Sequence, residues 1–304
     1  MAGLLDEARA ACAAIASDAL YVRIDAERIG TYARTLPLVN APPTLDPVLH
    51  YVEPEHDPEG TAAFVLTLDA INFGSGWFPE IVGPTASGYT AVAGRLAARF
   101  RERGALPTDR LATLDAAGAA ELIGFEAGNA AAAELTGLYA RALNDLGILV
   151  EEAYGGRFLA LVEDAGGSAE RLAGILRRMP LFEDPPFYKR AQIAAADLDL
   201  AGVARFADLE RLTAFADNLL PHVLRHDGVL SYAPDLAARI DRGEPLPAGS
   251  REEMEIRAAA VHAVELIAAV TGTPPMRIDH VLWHRGQQPE YRAKPRHRTK
   301  TAFY

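Results

Sequence analysis

Residues 250–272 read SREEMEIRAAAVHAVELIAAVTG, and the fold class follows from them. Ser250 with Glu253 three positions on forms a capping box, in which each side chain satisfies a backbone N–H that the first helical turn leaves free. Pro247 and Gly249 punctuate the approach, and apolar residues recur at helical spacing, as at Val264 and Ile267. A helix is predicted over 251–271, with Glu253, Glu255 and Arg257 pairing along a solvated face. The same rhythm runs outward through most of the chain, for example at Leu96 and Phe100. Further helices are predicted near 3–18, 24–36, 88–103, 109–122, 129–148, 168–178, 187–200, 207–226 and 233–241. The best strand is 62–70, AAFVLTLDA, between Asp57-Pro-Glu-Gly60 and a glycine-rich turn, with a second at 80–84 or 89–93. The fold class is mostly α with a small β element. No repeat or low-complexity linker divides the chain, so 1–304 reads as a single domain, with room for two lobes around a cleft.

Composition narrows the function. Half of the 304 residues are apolar and 23% are charged, enough to build a core and too little charge for disorder. The formal net charge of −11 disfavours broad attraction to a nucleic-acid polyanion and points to a small ligand. One cysteine, Cys12, makes no internal disulfide and no thiolate cluster for a metal. Asp6, Glu7 and Arg9 interrupt the first apolar stretch, which reads as an amphipathic helix and not as a leader. The most apolar run, 255–270, carries Glu255, Arg257, His262 and Glu265, so no membrane span is expected. These features predict a soluble, cytoplasmic protein.

Four segments carry more chemistry than packing demands. In LDAINFGSGWFP, 68–79, Asn72 stands among Phe73, Trp77 and Phe78 around a Gly-Ser-Gly turn. Glycines let a ligand approach backbone and aromatic faces stack on planar bases, although a turn with core aromatics has the same composition. In FEDPPFYKRAQIAAADLDL, 182–200, Lys189 and Arg190 fall in a first helical turn and Asp197 and Asp199 near the last. Both placements oppose the helix dipole. In 206–224, Asp217 lies in an apolar stretch, and Pro221 cannot donate the helical hydrogen bond to its carbonyl, which predicts a bend. A carboxylate there is costly unless paired or used. His222 and His226 have the i, i+4 spacing of metal ligands but read as exposed helix histidines. In the fourth, Asp279 and Trp283 share a helical face, a pairing suited either to a heterocycle with N–H donors or to a capped core tryptophan. Finally, 284–300 holds six bases against one acid. It reads either as a solvated end or as a phosphate clamp, the second favoured by the apolar Ala302-Phe303-Tyr304 that follows.

Taken in order, NFGSGWFP, FYKRAQI with its following AD, LTAFADNLLPHVL, EEMEIRAAAVHAVELI, IDHVLW and RHRTKTAFY resemble the queuosine salvage proteins, from about residue 45 onward. The resemblance implies a helical fold similar to helix-hairpin-helix DNA glycosylases. It also implies hydrolysis of queuosine 5′-phosphate to queuine and ribose 5-phosphate in queuine salvage for tRNA modification. Catalytic roles carry over to Asp217, as nucleophile or transition-state stabiliser in the family's FADYR motif, and to Lys189 and Asp197. Substrate-binding roles carry over to His50, Asn72, Phe73, Trp77, Phe215, Asp279, Trp283, Arg190 and His297. This chain departs from the motif with Asn218 and Leu219 in place of tyrosine and arginine, and with His222 in place of glutamine.

The implied chemistry suits these residue types. Loss of an N-glycosidic base develops oxocarbenium charge on the ribose, which a carboxylate stabilises or captures. Queuine is a 7-deazapurine, so its departure cannot be eased by protonation at a nitrogen in position 7. Its side-chain amine suits Asp279, Asp197 or Asp199, and its 5′-phosphate suits Lys189, Arg190, Arg296, His297 or Arg298. Phe73, Trp77 or Phe215 supplies a stacking face. No metal or organic cofactor is called for, and no stable nucleic-acid or membrane partner. Two rivals are a metal-dependent HD-type phosphohydrolase using His50, His226-Asp227 and Asp279, and a non-catalytic binder of a tRNA-derived nucleotide.

Overall fold

The computed structural model describes residues 3–38, 43–83, 87–125 and 128–304. Helix dominates as expected, with sixteen α-helices among the described residues. The Arg251–Thr271 helix starts on the Ser250 cap, whose side chain accepts from the Glu253 N–H, while Glu253 reaches back to the Gly249 N–H at 3.2 Å. Its acid–base face is not solvated. Glu253, Glu255 and Arg257 are all buried, because the Leu4–Ser17 helix and the 212–218 segment cover that side.

The strand predicted at 62–70 is instead the C-terminal part of a helix, Pro58–Ala70. Asp57 caps it, its side chain accepting from the Gly60 N–H at 2.8 Å, and Pro58 supplies the first turn. Every residue from Gly60 to Ala70 is buried, since other helices pack around it. A helix apolar on all sides has no amphipathic period, and its short apolar run then imitates a buried strand. Residues 80–81 and 89–93 are also helical, within Phe78–Ile81 and Gly88–Arg103, and residue 84 lies outside the described residues. The β element is real but elsewhere. Val22–Ile24 pairs antiparallel with Leu230–Tyr232, strands of three residues that are too short to show an alternation.

The predicted helix 207–226 shrinks to a 3-10 turn, Leu209–Arg211, and a short helix, Leu219–His226. Three buried side chains bind the backbone between them. Gln192 Oε1 accepts from the Thr213 N–H at 2.8 Å, Asp279 Oδ1 from the Phe215 N–H at 3.1 Å, and Arg257 Nε donates to the Ala216 carbonyl at 3.0 Å. These partners replace the i→i−4 helical bonds, so Asp217 precedes a helix and does not sit inside a bent one. Pro221 lies in the first turn of the short helix, where its missing N–H has no helical partner to lose.

Two large hydrophobic clusters form among the described residues. One gathers the Pro58–Ala70, Gly88–Arg103, Ala130–Tyr154 and Lys189–Leu200 helices. The other gathers the small sheet with Leu219–His226, Arg251–Thr271 and Pro275–Gly286. The basic segment is no solvated end beyond residue 296: His297, Thr299 and Tyr304 are buried. It runs across the Gly-Ser-Gly turn, with the Gly74 N–H donating to the Tyr304 carbonyl at 3.2 Å and Arg298 Nε to the Gly76 carbonyl at 2.7 Å. The closeness that glycine permits is therefore used by the chain itself. A Cβ on Gly76 would stand 2.2 Å from the Thr299 carbonyl oxygen. Gly76→Ala is expected to displace this segment and cost about 1–3 kcal/mol, read as a lower melting temperature. An unchanged melting temperature would remove the segment from this turn.

Candidate active site

A cavity of about 1120 Å³ takes its walls from both clusters, from the 212–218 segment and from residues 292–298. Asp217 lies half-buried on its wall. Its Oδ1 accepts from the Leu219 and Leu220 N–H groups at 2.7 and 3.0 Å, so the N-terminus of the Leu219–His226 helix orients the carboxylate. Asp279 reaches the same wall from the Pro275–Gly286 helix. Burial, reinforced by the charge of Asp217, holds Asp279 well above the usual carboxylate range, against the smaller opposing pull of the Phe215 N–H and Lys189.

Lys189 opens the Lys189–Leu200 helix after Tyr188, which takes a left-handed backbone (φ 47°). Its ammonium is buried and donates to the Asn72 carbonyl at 3.1 Å, while Asp217 is its strongest favourable charge. Burial nonetheless lowers its pKa. Asp197, two turns along the helix, also lines the cavity, and burial with the nearby Asp69 carboxyl keeps it well above the ordinary value. Ahead of the Pro58–Ala70 helix, His50 also lines the cavity; its Nδ1 donates to the Asp46 carbonyl at 2.8 Å, which leaves Nε2 to accept from the Tyr89 hydroxyl at 2.9 Å. Burial lowers its pKa, which disfavours the cation, and both ring nitrogens are engaged within the chain.

Phe215, Trp283 and Phe73 line the cavity. Phe73 is committed to the interior, with Tyr139 at 4.9 Å and the Arg190 guanidinium over its ring at 4.7 Å. Three expected contacts lie off the wall. Arg190 is sealed inside, donating to the carbonyls of Ala70 and Leu181 and stacking on Phe73 and Phe182, and is no phosphate ligand. Trp77 is buried behind the turn, where the Lys300 ammonium stands 5.9 Å from its ring centre, and Phe78 takes its place on the wall. Asp199 faces away and pairs with Arg205 at 2.9 Å.

Burial drives the pKa of His297 down to about 3, so it faces the cavity as a neutral ring beside Tyr304 and offers a phosphate no positive charge. Arg298 is engaged by Glu80. Arg296 lines the cavity and is drawn toward Asp217. His222 is not exposed: its Nε2 meets the Tyr291 carbonyl at 2.7 Å inside the second cluster. The HD-type array does not assemble, because Asp227 accepts from the Tyr32 and Tyr291 hydroxyls, both at 2.6 Å, away from His50 and Asp279. Among the described residues no group of three His, Cys, Asp or Glu side chains is placed to hold a metal ion. No single described helix is long and apolar enough to cross a membrane.

Sequence reasoning missed Tyr89, Asp69 and the pair His280 and His284, whose Nε2 atoms lie 3.1 Å apart on the wall. Of these, only the i, i+4 histidine spacing left a trace in the sequence. Tyr89 sits in a segment read as a strand, and Asp69 at the end of another.

The fold and the cavity together describe a helical protein with a carboxylate-lined cavity between two hydrophobic clusters. The chain belongs to the queuosine salvage protein family, whose sequence profile matches residues 52–304. A relative from Sphaerobacter thermophilus, named queuosine 5′-phosphate N-glycosylase/hydrolase, is 37% identical over 289 residues, covering 86% of each chain. Proteins of the same name from Mus musculus and Dictyostelium discoideum are each 32% identical, over 191 and 182 residues. Those alignments cover 54% of this chain and 56% and 57% of the relatives.

Proposed function

We propose that this cavity binds queuosine 5′-phosphate and hydrolyses its N-glycosidic bond to give queuine and ribose 5-phosphate. The observation that carries the reading is the presence on one cavity wall of Asp217, oriented by a helix N-terminus, and the buried Asp279, whose pKa burial raises well above the ordinary carboxylate range. Asp217 lies under the ribose, where its charge stabilises the oxocarbenium ion as the C1′–N bond breaks. The bond's electrons leave with the base, which takes up a proton, and water supplies the hydroxyl at C1′. Asp279 as a neutral acid donates a hydrogen bond to the departing heterocycle, the assistance that a 7-deazapurine needs away from position 7. Phe215, beside Asp217 and with its N–H held by Asp279, provides the face against the base. Lys189 and Arg296 offer the positive charge for the phosphate. The acidic chain, with net charge −11, favours a free nucleotide over intact tRNA, and no membrane enters this reading.

Chromatography of queuosine, its 5′-phosphate and queuosine-containing tRNA, incubated in parallel, tests this directly. Release of queuine from the 5′-phosphate, undiminished by a chelator, is expected. Return of intact nucleotide would make the protein a binder. Lys189→Met is expected to lower kcat/KM for the 5′-phosphate about 10–100-fold, with a smaller loss on the nucleoside. Equal losses on both would take Lys189 away from the phosphate.

A further inference from the structure

Behind the Lys189 wall, and off the cavity surface, Asp69 ends the most enclosed helix of the first cluster and is fully buried. Its Oδ1 accepts from the Asn72 side chain at 3.2 Å. Its Oδ2 is buried and, among the described residues, no N–H or O–H donor reaches it. An ionised carboxylate with a bare buried oxygen is among the costliest arrangements a protein interior holds. A carboxylic acid in the same place avoids that cost, and Asp69 stands near enough to Asp197 for its charge to disfavour a second anion there. Asn72 is the link to the site, because its side chain is held by Asp69 and its carbonyl receives the Lys189 ammonium at 3.1 Å.

We propose that Asp69 is a positioning residue that works as a neutral acid and fixes Lys189 through Asn72. This rests on the glycosidase reading of the cavity for its kinetic consequence, but not for its protonation state. The other charged and titratable groups around Asp69 and Asp197 come from every neighbouring element. Lys189 and Arg190 share the helix of Asp197; Tyr89 faces the pair from the Gly88–Arg103 helix; Tyr139 lies beyond Arg190, Asp46 and His50 beyond Tyr89, and Asp217 beyond Lys189. The Asn72 hydrogen bond, Lys189 and Arg190 all lower the Asp69 pKa, yet burial outweighs them and pushes it up to about 7. The proton count also matters to the mechanism. With Asp69 and Asp197 both ionised, Lys189 would be drawn back from Asp217 toward two anions; a neutral Asp69 leaves it balanced between the two sides of the wall.

Asp69→Asn copies the protonated acid in shape, with an amide N–H where the acid holds its proton. Asp69→Ala removes the hold on Asn72. At pH 6, Asp69→Asn is expected to keep kcat/KM on queuosine 5′-phosphate within about threefold, and Asp69→Ala to lose about 10–100-fold through misplacement of Lys189. The wild-type rate should fall above about pH 7 as Asp69 loses its proton, and the Asn variant should lack that fall. Loss in the Asn variant equal to that in the Ala variant would overturn the proposal, as would an alkaline limb the Asn variant preserves.

A second arm does not depend on activity. A carboxyl raised on folding contributes stability that is complete below its unfolded pKa and is lost as pH rises through about 7. The melting temperature of Asp69→Asn relative to wild type should therefore be higher at pH 8 than at pH 5 by several degrees, about 3–5 °C. No change in that difference overturns the neutral acid. If wild type releases no queuine while the melting difference appears, the glycosidase reading fails and the neutral Asp69 stands.

Discussion

Asp217→Asn is expected to cut turnover of queuosine 5′-phosphate by about a thousandfold or more while its dissociation constant moves less than about threefold. The separation follows from what Asp217 does twice. Its Oδ1 caps the Leu219–His226 helix through two backbone N–H groups, and asparagine caps a helix about as well as aspartate. The fold and the cavity shape are thus retained. The lost quantity is the negative charge at the oxocarbenium carbon, which Asp279 is not expected to replace, because burial favours its neutral form. Calorimetry of nucleotide binding to the variant, beside its single-turnover rate, reads the two effects apart. Turnover near the wild-type value would remove Asp217 from the chemistry, and loss of binding in step with turnover would make it a substrate ligand only.

The largest effect on stability is expected from Arg257→Leu. Arg257 is 1% exposed, and its guanidinium holds Asp184 through two bonds of 3.0 and 2.6 Å and meets Glu253 at 3.5 Å. It also lies over the rings of Phe187 and Tyr304 at 3.9 and 4.7 Å. Leucine keeps part of the volume and leaves two carboxyls buried without their cation, a loss of about 3–5 kcal/mol. At about 2–4 °C per kcal/mol, the melting temperature should fall by roughly 10 °C. Because Arg257 also binds the Ala216 carbonyl, next to Asp217, activity should drop even well below the transition. Arg257→Lys, which keeps charge and loses the fork, should fall between. A melting temperature like that of wild type would show that the buried acids find other partners.

Both predictions concern residues whose meaning the linear chain disclosed only in part. Asp217 stood out because a carboxylate among apolar neighbours needs a reason, and its position on the cavity wall agrees with that. Its setting was misread: helical spacing around it suggested a bent helix, while Gln192, Asp279 and Arg257, all distant in sequence, hold the segment out of a helix. Arg257 was misread altogether, because acids and bases alternating on a helix look the same whether the face meets water or a neighbouring helix. Arg190 and Trp77 carried the right chemistry for a ligand and spend it on the interior instead.

Local rules were sufficient for the class of the fold, for most helices and for several wall residues of the site, because capping, spacing and composition act within a few positions of one another. Pro58–Ala70 escaped them since its environment is apolar in every direction, and so did the short strands, whose only partner is some two hundred residues away. Tertiary packing alone decided which charges are paired, which are neutral and which face the cavity. The raised pKa values of Asp279 and Asp69 and the lowered one of His297 come from the exclusion of water by distant elements, a quantity no stretch of sequence contains.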